Sequence, residues 1–90
     1  MSFDTDFPTL GFDEPADGVL QITLEAPGLN AVGADAHRDL AEVWTRVDRD
    51  PAVRVALVRG AGSAFSAGGS FELIEAMTED FAVRTRVLRE

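Results

Sequence analysis

The 90-residue chain contains no cysteine, which excludes disulfide staples and thiolate-bound metal clusters. Lysine is also missing. All eight basic residues are arginines, set against sixteen acids for a formal net charge of −8. This reads as a compositional habit of the source rather than a functional choice. An acidic chain without a basic face is not built to take DNA, RNA or an anionic membrane as its main partner. No apolar run approaches the length that spans a bilayer. The opening MSFDTDFPTL carries acids where a secretion signal would be positive. Together these absences predict a cytoplasmic protein. The missing signal carries that expectation, because a lack of cysteine fits any compartment. So short a chain, without staples, must draw its stability from its core, from oligomerisation or from further chain.

What is present reads as folded: 46% of the residues are hydrophobic, an ordinary share for a globular domain. Residues 1–17 read as an acidic N-terminal tail, frayed over 1–6, and a first short strand over TLGFDEP that Pro15 interrupts. Asp17-Gly18 supplies a turn, and VLQITLEA follows with Leu20, Ile22 and Leu24 on one face. That alternation predicts a strand, and the turn between the two strands predicts an antiparallel hairpin. After PGLNAVG, the residues Ala36, Leu40, Val43, Trp44 and Val47 form one helical stripe over about 34–50. Asp35 and Asp39 suit the positive end of its dipole, Gly33 is an acceptable N-cap, and Pro51 stops it. The run VRVALV (53–58) predicts a strand covered on both faces. Strand, helix, strand in this order predicts a βαβ unit. FELIEAM predicts a short helix, and Thr78 with Glu79 and Asp80 predicts the cap of a last helix running to Glu90. That helix meets no glycine or proline, so residues 18–90 read as an incomplete domain. There is no internal repeat.

The stretch GAGSAFSAGGSFEL (60–73) holds the candidate chemistry. A dinucleotide fingerprint fails at Phe65, where the third glycine is required, and a phosphate-cradling Walker loop lacks its Gly-Lys-Ser/Thr ending. Nucleophilic catalysis by Ser63, Ser66 or Ser70 lacks the G-x-S-x-G setting. The single histidine, His37, reads as a partly buried packing residue at the edge of the helical stripe. Glu72, Glu75 and Glu79 read as a solvated acidic surface, and Glu25 and Glu42 are equally plain. Two readings remain for Gly68-Gly69. One is an ordinary glycine-rich turn into a helix. The other is a backbone N–H donor, aided by the helix dipole, for an oxygen that becomes negative during a reaction. Glycine would there leave room for an approaching carbonyl and permit a positive φ.

GLNAV (28–32) before the first long helix, and RVALVRGAGSAFSAGGSFEL (54–73) after it, resemble the crotonase superfamily of enoyl-CoA hydratases and isomerases. The resemblance covers about Gly18 to Met77. It implies an α/β fold: the N-terminal portion of a crotonase-like fold, in the order β-β-α-β-α-α and lacking the C-terminal two-thirds. It assigns the backbone N–H of Gly69 to one half of an oxyanion hole for the thioester oxygen of an acyl-CoA. Leu29, Asn30 and Ala31, with Ser66, Ala67 and Gly68, would line the coenzyme A groove, Ala67 near the adenine. Ser70 stands where the family usually has an aspartate, and serine can also cap a helix. Phe71 would begin the acyl-pocket wall. Pro27 stands where many members carry a basic residue near the CoA phosphates. Coenzyme A enters as part of the substrate, so no separate cofactor is expected, and the expected assembly is a homotrimer or hexamer. The family's second oxyanion donor and its proton-moving glutamates lie beyond residue 90. A truncated, non-catalytic remnant with weak CoA binding or an assembly role is therefore the alternative expectation.

Overall fold

The computed structural model describes residues 3–90; Met1 and Ser2 of the expected tail lie outside the described residues. The remainder of that tail is not frayed. Phe3–Asp6 form a helical turn, α1, and Phe3 is 2% exposed. Its ring stacks on Phe12 at 5.4 Å between centroids. The Arg46 guanidinium lies 5.3 Å over the same ring and pairs with Asp6. Burying one phenylalanine stabilises a fold by about 1.5–3 kcal/mol, enough to dock an otherwise polar turn whose other residues, Asp4, Thr5 and Asp6, stay in water.

Strands β1 (Leu10–Ala16) and β2 (Val19–Leu24) form the expected antiparallel hairpin around Asp17-Gly18. Its register slips between Asp13 and Ala16, where Pro15 has no N–H to give to the ladder. β1 thus runs through Pro15 and accommodates it on an edge. Strand β4 (Val55–Gly60) lies parallel to β2, pairing Val19 with Val55 through Leu24 with Gly60. The sheet order is β1-β2-β4. A parallel neighbour demands a crossover, and α3 (Ala34–Arg49) supplies it. Two short elements absent from the expected order precede that helix: the turn α2 (Pro27–Asn30) and the two-residue strand β3 (Ala31–Val32).

Leu20, Ile22 and Leu24 are all buried, together with Phe3, Phe7, Leu10 and Val43. Leu40 and Val47 pack at the rim of this core from α3. Trp44 departs from the expected stripe and is 41% exposed. Neighbouring helical residues are turned by about 100°, so a sheet only three strands wide covers Val43 and leaves Trp44 outside. β4 also departs from its expectation. Ala56 and Val58 face the core, whereas Val55 and Leu57 are 57% and 48% exposed. One face of this apolar strand is covered, not both.

Beyond β4, Gly68–Gly69 form β5, paired in parallel with β3. The helices α4 (Phe71–Glu79) and α5 (Phe81–Arg89) complete the described residues. The cap of α5 is Asp80 and not Thr78: the Asp80 carboxylate accepts from Ala82 N at 2.8 Å and Val83 N at 3.3 Å. Thr78 lies inside α4, where its hydroxyl donates to Glu75 O at 2.7 Å.

One buried carboxylate ties α3 to the hairpin. Asp39, 2% exposed, accepts from the Thr9 amide at 3.1 Å and the Thr9 hydroxyl at 2.7 Å. Asp39→Ala would leave both donors without their acceptor. It is expected to lower unfolding stability by about 1–3 kcal/mol, read as a lower urea midpoint. The exposed control Glu42→Ala should change it by less than about 0.5 kcal/mol.

Candidate functional site

The register of β2 against β4 sets the site. Leu24 lies beside Gly60, so the segments leaving the two strands emerge side by side at their C-terminal ends, the usual position of a binding crevice in a parallel sheet. The ladder continues past the strand end, with Ala61 N donating to Leu24 O at 2.9 Å. The segment after β2 then becomes α2 and β3, and the segment after β4 becomes the glycine loop and β5. Their pairing places Ala31 beside Gly68 and Val32 beside Gly69. Residues 29–31 and 66–68, which the sequence resemblance assigned to one groove, are thereby brought together.

The glycines of the loop differ in what they do. A Cβ on Gly60 would lie 2.5 Å from Phe65 O and 2.7 Å from Phe65 Cα, because the loop folds back over the strand end. Gly68 has φ +98, a backbone region that side chains disfavour. Gly69 has neither constraint: its φ lies outside that region, and a Cβ there would make ordinary contact with Ile74 at 3.8 Å. The positive φ foreseen for the pair belongs to Gly68 alone. Ser70 N donates to Val32 O at 2.8 Å. Consecutive amides of an extended chain alternate in direction, so the Gly69 N–H points away from β3. Gly69 is exposed.

Ser70 caps α4, accepting from Leu73 N at 3.1 Å, which is the capping role a serine can take over from aspartate. Ser66 is turned inward. Its hydroxyl donates to Asn30 O at 2.8 Å and accepts from Gly68 N at 3.1 Å. Asn30 was expected to line a ligand groove, but its side chain is committed elsewhere. It is 2% exposed, accepts from Ala26 N at 3.0 Å, and donates to Ala61 O at 3.0 Å and Ala64 O at 2.9 Å. Its φ of +58 suits asparagine better than most residues. Leu29 and Phe71 stand 61% and 87% exposed, so Phe71 encloses no wall among the described residues.

His37 donates to Glu90 Oε1 at 2.7 Å, a bond that ties α3 to the end of α5. Glu25, Glu42, Glu72, Glu75 and Glu79 are all exposed, as solvated surface residues are. An open cleft of about 690 Å³ lies between the start of α3 and α4, with Ala31, Gly33, Ser70 and Leu73 in its lining. Glu25, Asp35 and Glu72 also line it, and three carboxylates repel the phosphates of a nucleotide tail. No group of three metal-ligating side chains occurs among the described residues. Among them, no helix is long and apolar enough to cross a membrane.

A parallel strand pair opening into a backbone-lined glycine loop, with a helix capped directly behind it, is the crotonase-like arrangement. The chain superposes on the crystal structure of an enoyl-CoA hydratase/isomerase from Mycobacterium paratuberculosis with a TM-score of 0.86 and 38% identity, covering 93% of this chain and 34% of that one. An enoyl-CoA hydratase/isomerase from Marinobacter aquaeolei gives a TM-score of 0.70 at 27% identity, covering 81% and 28%. The enoyl-CoA hydratase/isomerase family profile matches residues 14–88, and the chain belongs to that family. Among curated relatives, carnitinyl-CoA dehydratase of Proteus mirabilis is 41% identical over 51 residues, 57% of this chain and 20% of the relative. A mevalonyl-coenzyme A hydratase of Beauveria bassiana is 39% identical over 70 residues, 77% and 23% of the two chains. The chain thus spans between a fifth and a quarter of the curated relatives' length.

The three glycines should separate in a stability series. Gly60→Ala is expected to cost about 3 kcal/mol through overpacking against backbone, and Gly68→Ala about 1–2 kcal/mol through its conformation. Gly69→Ala should be neutral or stabilise by up to about 1 kcal/mol, since alanine restricts the unfolded chain. Thermal denaturation of the three variants checks the order.

Proposed function

We propose that the chain forms the oxyanion-loop portion of an acyl-CoA-binding protein of the enoyl-CoA hydratase/isomerase type. In this reading the Gly69 N–H donates to the thioester carbonyl oxygen. When water adds across the α,β double bond of an enoyl thioester, or the double bond shifts, negative charge collects on that oxygen. A donor already aimed at it stabilises the enolate-like state, and losing one such donor costs about 3–4 kcal/mol. The observation that carries the reading is the Gly69 amide: it turns away from β3 at an exposed position whose glycine neither φ nor local space requires. What the position offers is therefore its N–H. Ser66, Ala67 and Gly68, with Leu29 and Ala31, would then line the coenzyme A groove, Ala67 near the adenine, and Phe71 would begin the wall of the acyl pocket. The names of the relatives, a carnitinyl-CoA dehydratase and a mevalonyl-CoA hydratase, support an acyl-CoA thioester as the ligand class. The reading extends to a cytoplasmic location and to a homotrimer or hexamer.

None of the exposed glutamates is held against the loop, so the 90-residue chain is expected to bind the thioester without turning it over. Titration of the 15N-labelled chain with crotonyl-CoA should shift the Gly69 amide resonance, and free coenzyme A should not. Gly69→Ala keeps the donor and should keep the shifts that crotonyl-CoA causes at the neighbouring amides of Gly68 and Ser70. Gly69→Pro removes the donor, and with it the amide at that position, and should abolish the response of those two neighbours. Equal responses in the wild type and Gly69→Pro would overturn the assignment. Crotonyl-CoA absorbance should decay at the uncatalysed rate. Turnover by the wild type that Gly69→Pro abolishes would show that the acid–base groups are already in this chain.

A further inference from the structure

We infer that Asn30 is the positioning residue of the glycine loop and that it sets the direction of the Gly69 amide through Ser66. The inference deepens the acyl-CoA reading above and rests on it for the ligand. Between β4 and β5 the described chain runs through residues 61–67 without a helix or strand of its own. Both ends of this segment converge on Asn30. At the near end its carboxamide N–H groups hold Ala61 O and Ala64 O. At the far end its main-chain carbonyl accepts from the Ser66 hydroxyl, which in turn accepts from the amide of Gly68, the residue directly before Gly69.

The residue type is specific to the task. A carboxamide offers two donors and an acceptor on one short side chain. Asn30 uses all three, with Oδ1 taking the Ala26 amide. Aspartate has the same shape but would turn a negative oxygen toward two carbonyl oxygens. The Asn30 side chain is itself buried, so each bond it fails to make leaves one of its own polar atoms without a partner. Ser66 likewise works as both donor and acceptor, which threonine can reproduce and alanine cannot. The Gly69 amide is then fixed from both sides, by the Asn30–Ser66–Gly68 relay before it and by the Ser70–Val32 bond after it.

The test compares Ser66→Ala, Ser66→Thr and Asn30→Asp with the wild type by 15N relaxation and by affinity for crotonyl-CoA against free coenzyme A. In Ser66→Ala the Gly69 amide order parameter should fall from about 0.85 to below about 0.6, while the amides of β2 stay as rigid as before. The preference for crotonyl-CoA over coenzyme A should drop about fivefold, the effect of one hydrogen bond of ordinary strength. Ser66→Thr should restore both, which a general loss of stability would not do. Asn30→Asp should match or exceed the effect of Ser66→Ala, and a Gly69 amide left as ordered as in the wild type overturns the role of the Asn30 carboxamide. If that variant does not fold, the two Ser66 variants decide the relay through the Asn30 carbonyl. A Gly69 amide as ordered in Ser66→Ala as in the wild type overturns the positioning role. If the wild type binds crotonyl-CoA no better than coenzyme A, the acyl-CoA reading fails separately, and the order parameters still decide the role of Asn30.

Discussion

The parallel pairing of β4 onto β2 is the constraint on which everything else in the molecule depends. It forces the chain to leave the sheet and return along α3, which covers the apolar face of β2 with Val43, Leu40 and Val47. It also fixes Leu24 opposite Gly60, so two loops far apart in sequence leave the sheet at the same place. Every feature of the candidate site follows from that coincidence. β3 meets β5, Asn30 reaches the glycine loop, and the amide of Gly69 turns outward because its neighbour Ser70 bonds Val32.

Two buried polar residues do the joining that apolar packing leaves undone. Asp39 anchors the start of the hairpin to α3 through Thr9, and Asn30 anchors the glycine loop to the segment after β2. Each has its partners, and among the described residues no buried side-chain nitrogen or oxygen lacks one. Such groups contribute modestly when paired and cost more when left alone. Their effect is therefore greatest on which arrangement forms: a shifted loop or a slipped helix would strand them.

Much of this was legible in the sequence, for identifiable reasons. Leu20, Ile22 and Leu24 alternate cleanly, and α3 carries a helical stripe ended by a proline, so local periodicity sufficed. The order of motifs around GLNAV and AFSAGG pointed to the family that the fold bears out. What could not be read depended on partners distant in the chain. Phe3 looked like part of a polar tail because its stacking partner, Phe12, lies across a turn. Trp44 looked buried because a helical stripe does not report how wide the sheet beneath it is. Thr78 was read as the cap because two acids follow it, but the second of those acids, Asp80, took the role with its stronger acceptor. Asn30 was read as a groove residue when its side chain serves the protein itself. Its one available signal was the glycine-leucine-asparagine sequence, since asparagine, unlike leucine, tolerates a left-handed backbone.

The register of the parallel ladder also has a consequence for the order of assembly. The hairpin closes across a two-residue turn, but Val19 meets Val55 only after 36 intervening steps along the chain, as the difference of their numbers gives. Loop closure over such a span costs entropy that only non-local contacts repay. The two halves of the site pair across a similar distance, from Ala31 to Gly68. The hairpin and α3 can each begin from local contacts, whereas the outward-facing amide of Gly69 comes into existence only when this non-local connection has closed. A probe that reports on that amide is therefore a reporter of the completed topology, silent for every partly formed state that precedes it.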